Sequence, residues 1–322
     1  MSLKHESEKT LSRPIYALLN SDALRHNLQR VREIMPEAKV WAVVKANAYG
    51  HGLAMVPSGL AEADGLALLD LAEAAALRKQ GWSKPILLLE GLFGEEDIFT
   101  AIDLACDCVV HNLDQVNWLE NVAEAKQSSK PMVMKVFIKM NTGMNRLGLS
   151  MDEARSYAER RKRESSPLPL SLLMTHFVES EIYHSSLTRQ QIAMFHDVRA
   201  LFPNVPASLS NSSGVFLEKE SAYDLVRPGY ALYGGNPFLS EPNPMHPVIR
   251  LEAPIIHQLH QYDCHHIPTL ISINVNYNAF LMHDEGFPLR EQLKKSYHPQ
   301  YAIEALTKYQ NIQATSAFHS DE

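Results

Sequence analysis

The sequence predicts an α/β fold, a (β/α)8 barrel followed by a short, incomplete β and irregular segment. Three observations point there. Short apolar runs alternate with amphipathic stretches from Ile15 to about Gly235. The runs are mostly apolar rather than strictly alternating, as strands of a parallel sheet covered on both faces must be. Eight of them fit into roughly 200 residues, the count and length of a closed parallel barrel. An open doubly wound sheet is the competing arrangement.

The elements follow in order. Ser21 can cap a first helix in which Leu24, Leu28, Val31 and Met35 recur at spacings of four and three, and Pro36 stops it. Strands are expected at Val40–Lys45, Gly65–Leu69, Ile86–Leu89, Asp107–Val110, Met132–Ile138, Leu170–Thr175, Ala207–Ser210 and Leu225–Arg227. Helices are expected between them at Leu71–Lys79, Glu95–Ala105, Leu113–Glu124, Met151–Arg163 and Leu187–Leu201. Two carry the spacing of a capping box, Ser150 with Glu153 and Thr188 with Gln191.

After Gly235 the character changes. Four prolines between Asn236 and Pro247 read as an extended linker. Val248–Ile256 reads as a strand, Ile271, Ile273, Val275 and Tyr277 alternate like a half-buried one, and a short helix can start at Pro299. Of the 14 glycines only Gly286 lies beyond residue 235, which makes the tail a poor candidate for a turn-rich all-β domain. The expected organisation is therefore a disordered tail over 1–12, the barrel over 13–235, and a linker with a remnant or diverged region over 236–322.

Composition narrows the function. The 322 residues are 45% hydrophobic and 21% charged, enough to bury a core. A formal charge of −7 offers no basic field to nucleic acid. The first ten residues are polar and no apolar run is long enough to cross a bilayer, so no membrane partner is expected. Three cysteines build no disulfide framework and suit a reducing, cytoplasmic compartment. His257, His260, Cys264, His265 and His266 could ligate a metal, but clustered tail histidines are more often incidental, and no metal site is expected.

In such a barrel the reactive groups stand at the carboxyl ends of the strands. Those ends carry Lys45, Lys139 with Arg146, His176, Asn211 with Ser212, and Arg227. That set suits an anionic phosphate ester together with a carboxylate. Lys45 closes the apolar run Ala42-Val43-Val44, and a buried lysine readily loses its charge and becomes a nucleophilic amine. Taken singly, each residue also has a plain structural reading: a snorkelling lysine, a core histidine, a packing Tyr49, a helix-capping Ser212.

The strings around these residues resemble alanine racemases. Val44-Lys45-Ala46-Asn47-Ala48-Tyr49-Gly50-His51-Gly52 is similar to the family's pyridoxal-phosphate lysine motif. Lys139-Met140-Asn141-Thr142-Gly143-Met144-Asn145-Arg146-Leu147-Gly148, Thr175-His176-Phe177, Asn211-Ser212 and Arg227-Pro228-Gly229-Tyr230-Ala231-Leu232-Tyr233-Gly234 match the later motifs in order. The resemblance spans residues 13 to about 256. It implies a pyridoxal 5'-phosphate-dependent isomerase that interconverts L- and D-alanine for peptidoglycan. Lys45 would carry the cofactor as a Schiff base and act as one of two proton-transfer bases. Tyr49, Ser212, Gly229 and Tyr230 would hold the phosphate, and Asn211 would share in that turn. Arg227 would face the pyridine nitrogen and hydrogen-bond His176. Arg146 would meet the cofactor's phenolic oxygen and the substrate carboxylate, and Lys139 matches a position often carbamylated.

The resemblance breaks down in the tail. Family members carry a second, mostly β domain that lends a catalytic tyrosine to the partner subunit of a homodimer. Val248–Ile256 keeps its first strand, and Val275-Asn276-Tyr277-Asn278 is the nearest echo of the tyrosine turn, with asparagines in place of glycines. Tyr277 is thus the candidate second base. Two alternatives stand beside racemisation: a non-catalytic barrel that binds pyridoxal phosphate, and an inactive truncated racemase. A dimer is correspondingly doubtful.

Overall fold

A computed structural model describes residues 16–126, 134–164, 168, 170–217, 223–238, 242–254, 270–275 and 312–315. In chain order the strands are β1 (Tyr16–Leu19), β2 (Lys39–Val43), β3 (Gly65–Leu68), β4 (Ile86–Leu88), β5 (Cys106–Val110), β6 (Val136–Lys139), β7 (Leu170–Met174), β8 (Ala207–Ser208), β9 (Leu225–Val226), β10 (Ile249–Pro254), β11 (Leu270–Val275) and β12 (Ile312–Thr315). They fall into two compact units. Ser21–Val248 forms one; the described residues of 1–20 and 249–322 belong to the other.

In the larger unit β2 to β9 form one eight-stranded sheet in the order β8-β7-β6-β5-β4-β3-β2-β9, and every pair is parallel. The sheet curls into a nearly closed barrel, as the strand count implies. Alternate residues face inward, so Trp41, Val43, Ala67, Leu87, Val109, Phe137, Leu172, Met174 and Leu225 fill the interior. Trp41 and Phe137 meet there with ring centroids 5.4 Å apart. The opposite face of the strands, Val40, Leu66, Leu68, Ile86, Cys108 and Ile138, is buried as well. Burial on both faces explains why the strand runs lack polar alternation.

The seam between β8 and β9 is closed by single bonds rather than a ladder. Ser208 Oγ donates to Leu225 O at 2.6 Å, and Arg227 N donates to Ser210 O at 2.9 Å. At the other end Asp224 joins both neighbours: its carbonyl accepts from Lys39 N at 3.0 Å and its carboxylate from Ala207 N at 2.8 Å.

The helices lie where periodicity placed them: Ser21–Ile34, Leu71–Lys79, Glu96–Asp103, Leu113–Lys126, Met151–Glu164 and Ser186–Leu201. One capping box is present. Glu153 Oε2 accepts from Ser150 N at 2.8 Å while Ser150 Oγ accepts from Glu153 N at 3.2 Å. The other is not. Ser185 is the cap of the last helix and accepts from Thr188 N at 3.1 Å, which frees Gln191 to point into the protein. The spacing was that of a box, but the cap lay three residues before Thr188.

The smaller unit contains an antiparallel sheet in the order β1-β10-β11-β12. Tyr16 opposes Glu252, Leu251 opposes Ile273, and Ser272 opposes Thr315. The glycine-poor tail thus contributes three strands despite its composition. Tyr277, the helix expected from Pro299, the tail histidines with Cys264, and residues 1–12 lie outside the described residues.

Asn27 shows how the first helix fixes the chain beyond β9. Its buried carboxamide donates to Leu232 O and His246 O, both at 2.8 Å, and accepts from His246 N at 2.7 Å. Asn27→Ala strands three backbone groups, and urea denaturation should show a loss of about 2–4 kcal/mol.

Candidate active site

Six side chains at the barrel mouth stand two residues beyond an inward-facing core residue. Lys45 follows Val43, Leu69 follows Ala67, Leu89 follows Leu87, Lys139 follows Phe137, His176 follows Met174 and Arg227 follows Leu225. The period of two that builds the core therefore also aims these groups inward. They line one cleft of about 220 Å3 together with Tyr49, Glu90, Arg146, Asn211, Ser212, Gly229 and Tyr230. Every site residue expected in the barrel is present in this cleft. Tyr277 alone is outside the described residues.

Lys45 is held by an unusual backbone. Ala46, Asn47, Ala48 and Tyr49 all have φ between 52° and 54°, so four non-glycine residues form one left-handed turn. Such residues each cost roughly 1–2 kcal/mol. Local bonds keep them there. Asn47 N donates to Glu73 Oε1 at 2.5 Å, Asn47 Oδ1 accepts from Leu53 N at 3.0 Å, and the His51 ring contacts the carbonyls of Ala48 and Tyr49, each at 3.1 Å. Gly50 and Gly52 continue at positive φ, where glycine carries no penalty. Reversing the hand lets the chain turn away from the barrel immediately after the lysine while Tyr49 returns over the mouth.

Arg227 is fully buried and reaches across three strand ends. It donates to Thr175 O beyond β7 at 2.6 Å, to Ser208 Oγ on β8, and to Leu209 O at 3.4 Å. The hydrogen bond to His176 expected from the resemblance is not among these; the backbone carbonyl of the preceding residue takes its place. Burial lowers the Arg227 pKa to about 10, which still leaves it a cation at neutral pH.

A turn centred on Ser212 lines the same cleft. Buried Ser212 accepts from Gly229 N at 2.9 Å and Ala231 N at 3.3 Å. It is not the cap of the turn that follows: Asn211 Oδ1 takes that role, accepting from Gly214 N at 2.9 Å, and also accepts from Ser180 Oγ at 2.7 Å. Tyr230 contacts Ser213 Oγ at 2.7 Å. A side chain at position 229 would collide with the Tyr49 hydroxyl, so glycine is required for this approach.

The electrostatics follow from four cations and one carboxylate, Glu90, around one cleft. Burial, then Arg146, lowers the Lys45 pKa, and Glu90 partly opposes them. Burial, then Arg146 and Arg227, lowers Lys139 to about 8. Burial, then Arg227 and Lys139, drives His176 well below its usual range and keeps it neutral. None of the ion pairs among the described residues involves these four cations. Such a cleft attracts anions and holds amines that give up their protons easily. Glu90 is the one charged residue of the cleft that the strand-end reading missed; it stands two residues past Leu88, on the outward parity, so the period of two does not reach it. No group of three or more potential metal ligands occurs among the described residues.

A parallel eight-stranded barrel with two low-pKa lysines in the cleft at its mouth defines the class as a (β/α)8 protein. Comparison with known proteins narrows the class. Residues 19–237 match the family model "Alanine racemase, N-terminal domain". The chain is 42% identical over 231 residues to the alanine racemase of Delftia acidovorans, covering 70% of this chain and 61% of the relative. It is 43% identical over 234 residues to that of a Polaromonas species, covering 72% and 62%. The structure of alanine racemase from Acinetobacter baumannii superimposes with TM-score 0.71 at 31% identity over 81% of this chain and 74% of that one. The biosynthetic alanine racemase of Pseudomonas aeruginosa gives 0.69 at 30% identity with the same coverage. This chain belongs to the alanine racemase N-terminal domain family. It spans 61% of the length of the first of these curated relatives.

The charge distribution makes a direct prediction. After reductive 13C-methylation, the NMR signal of Lys139 should titrate near 8, well below the usual 10.5. Burial and positive neighbours disfavour its ammonium form, so Arg146→Met should move that midpoint upward. An unchanged midpoint would show that Arg146 does not act on it.

Proposed function

We propose that this chain is a pyridoxal 5'-phosphate-dependent alanine racemase that interconverts L- and D-alanine. The observation that carries the reading is the convergence of Lys45, Arg146, Ser212 and Arg227 on one cleft. The cleft suits the cofactor's functional groups: an amine that gives up its proton, glycine-dependent close approach at 229, and buried cations without carboxylate partners.

Ser212, Tyr49, Asn211, Tyr230 and the backbone of Gly229 would hold the phosphate. Pyridoxal phosphate, when bound, supplies an aldehyde for the lysine amine and a conjugated ring that delocalises the electrons of a broken α-carbon bond. Arg227 keeps its proton, so toward a pyridine nitrogen it would donate a hydrogen bond without yielding the proton. Lys45, with its lowered pKa, would take or return the substrate α-proton at Nζ on one face. Arg146 would bind the substrate carboxylate. Lys139, half-neutral near pH 8, is available to condense with carbon dioxide; the carbamate gains a negative charge beside Arg146 and releases a proton. Inversion needs a second proton donor on the opposite face, and Tyr277 is the proposed one. The region 236–322 is correspondingly read as a diverged counterpart of the family's second domain, and a homodimer would depend on it.

A second reading has its own support. The chain spans 61% of its Delftia relative, and the group assigned to the second face lies beyond residue 237, where the family match ends. A barrel that binds pyridoxal phosphate without turnover fits this equally. No helix among the described residues is long and apolar enough to cross a membrane. With three cysteines and no disulfide framework, we place the chain in the cytoplasm.

Lys45→Ala should abolish the visible absorption of chain-bound pyridoxal phosphate, and an unchanged spectrum would remove the central assignment. Chiral analysis after incubation with L-alanine then separates the readings. D-alanine formation that is lost in Tyr277→Phe supports racemisation, and cofactor binding with no D-alanine supports the carrier.

A further inference from the structure

Gln191 lies early in the Ser186–Leu201 helix and has no solvent exposure. Its carboxamide makes three hydrogen bonds to two loops at the barrel mouth. Oε1 accepts from Val178 N at 3.0 Å; Nε2 donates to His176 O at 2.9 Å and to Thr142 Oγ1 at 3.2 Å. The Thr142 and Thr175 hydroxyls meet at 2.7 Å, and Thr175 Oγ1 donates to Met140 O at 2.9 Å. The network therefore runs from the segment that leaves β6 toward Arg146 to the segment that leaves β7 with His176.

We propose that Gln191 is a positioning residue that clamps these two segments and thereby sets the relative placement of His176, Arg227 and Arg146. The inference rests on the proposed cofactor-binding function and deepens it. The physical reason lies in the end of β7. Beyond Thr175, whose N–H still reaches Ser208 O at 3.2 Å, no neighbouring strand continues alongside, because β8 ends at Ser208. His176 O and Val178 N sit two residues apart, and the Gln191 amide presents one donor and one acceptor to them, as a peptide group of an adjacent strand would. With the His176 carbonyl fixed on one side, the Thr175 carbonyl is free to accept from Arg227 Nη2 at 2.6 Å on the other. The remaining donor of the same amide holds Thr142, four residues before Arg146. Neither glutamate, which lacks the donors when ionised, nor leucine can make this set of bonds.

Pyridoxal phosphate binding to the full chain, followed by its visible band, tests the clamp. Gln191→Leu should raise the dissociation constant about tenfold, and Thr142→Val about threefold. Val198→Ala is the control: it removes buried methyls from the same helix and should lower the melting temperature while leaving cofactor affinity within about twofold. Gln191→Leu binding like the native chain, or Val198→Ala weakening binding as much, would overturn the clamp. If Gln191→Leu does not fold, Thr142→Val decides, and unchanged binding there overturns it. Failure of the native chain to bind at all would bring down the proposed function and the clamp together; native binding with unaffected variants brings down the clamp alone.

Discussion

The structure turns on one buried guanidinium. Arg227 stands where the barrel closes, and its side chain joins oxygens from the ends of β7 and β8 to its own strand, β9. A charge taken out of water is tolerated only when its donors are satisfied, and here backbone and hydroxyl oxygens satisfy them without neutralising it. The seam is therefore stitched by a group that remains positive. After burial, the largest cause for both, and with Arg146, the same charge helps to depress Lys139 and to hold His176 neutral, so the residue at the barrel's closure also contributes to the electrostatics of its mouth.

Near that charge the fold concentrates backbone strain in one turn. Four left-handed residues follow Lys45, at a cost of several kcal/mol that the barrel core must offset. In exchange the lysine stands at the mouth without the helix or strand continuation that would carry its neighbours through the cleft. Glu73, from the helix after β3, and His51, from within the turn, are the partners that hold this geometry. The placement of Lys45 is thus set by backbone conformation, and that of Tyr49 by the glycine at 229, whose missing side chain admits it.

Much of this could be read from the chain. The strand runs, the strand-end lysines and arginines, and Ser150 with Glu153 lie where apolar periodicity and capping chemistry put them. Glu90 lay outside that periodicity, because it stands two residues past outward-facing Leu88. The role of Gln191 was not legible, because its partners are hydrogen-bonding groups on other elements, and local spacing cannot distinguish a cap from a side chain that turns inward. Thr188 with Gln191 has the spacing of a capping box, yet the bond that caps the helix comes from Ser185. For Arg227 the resemblance named His176 as the partner, whereas the structure supplies the carbonyl of Thr175.

By itself the sequence determined the barrel and the inward parity of its mouth residues. Those depend on local periodicity and on residue chemistry that travels with the residue. Only the tertiary structure decided which oxygens hold Arg227, which helix residue bridges the β6 and β7 ends, and that the chain reverses its hand after Lys45. Each of those is a choice among chemically equivalent partners, made when distant segments come within hydrogen-bonding distance of one another.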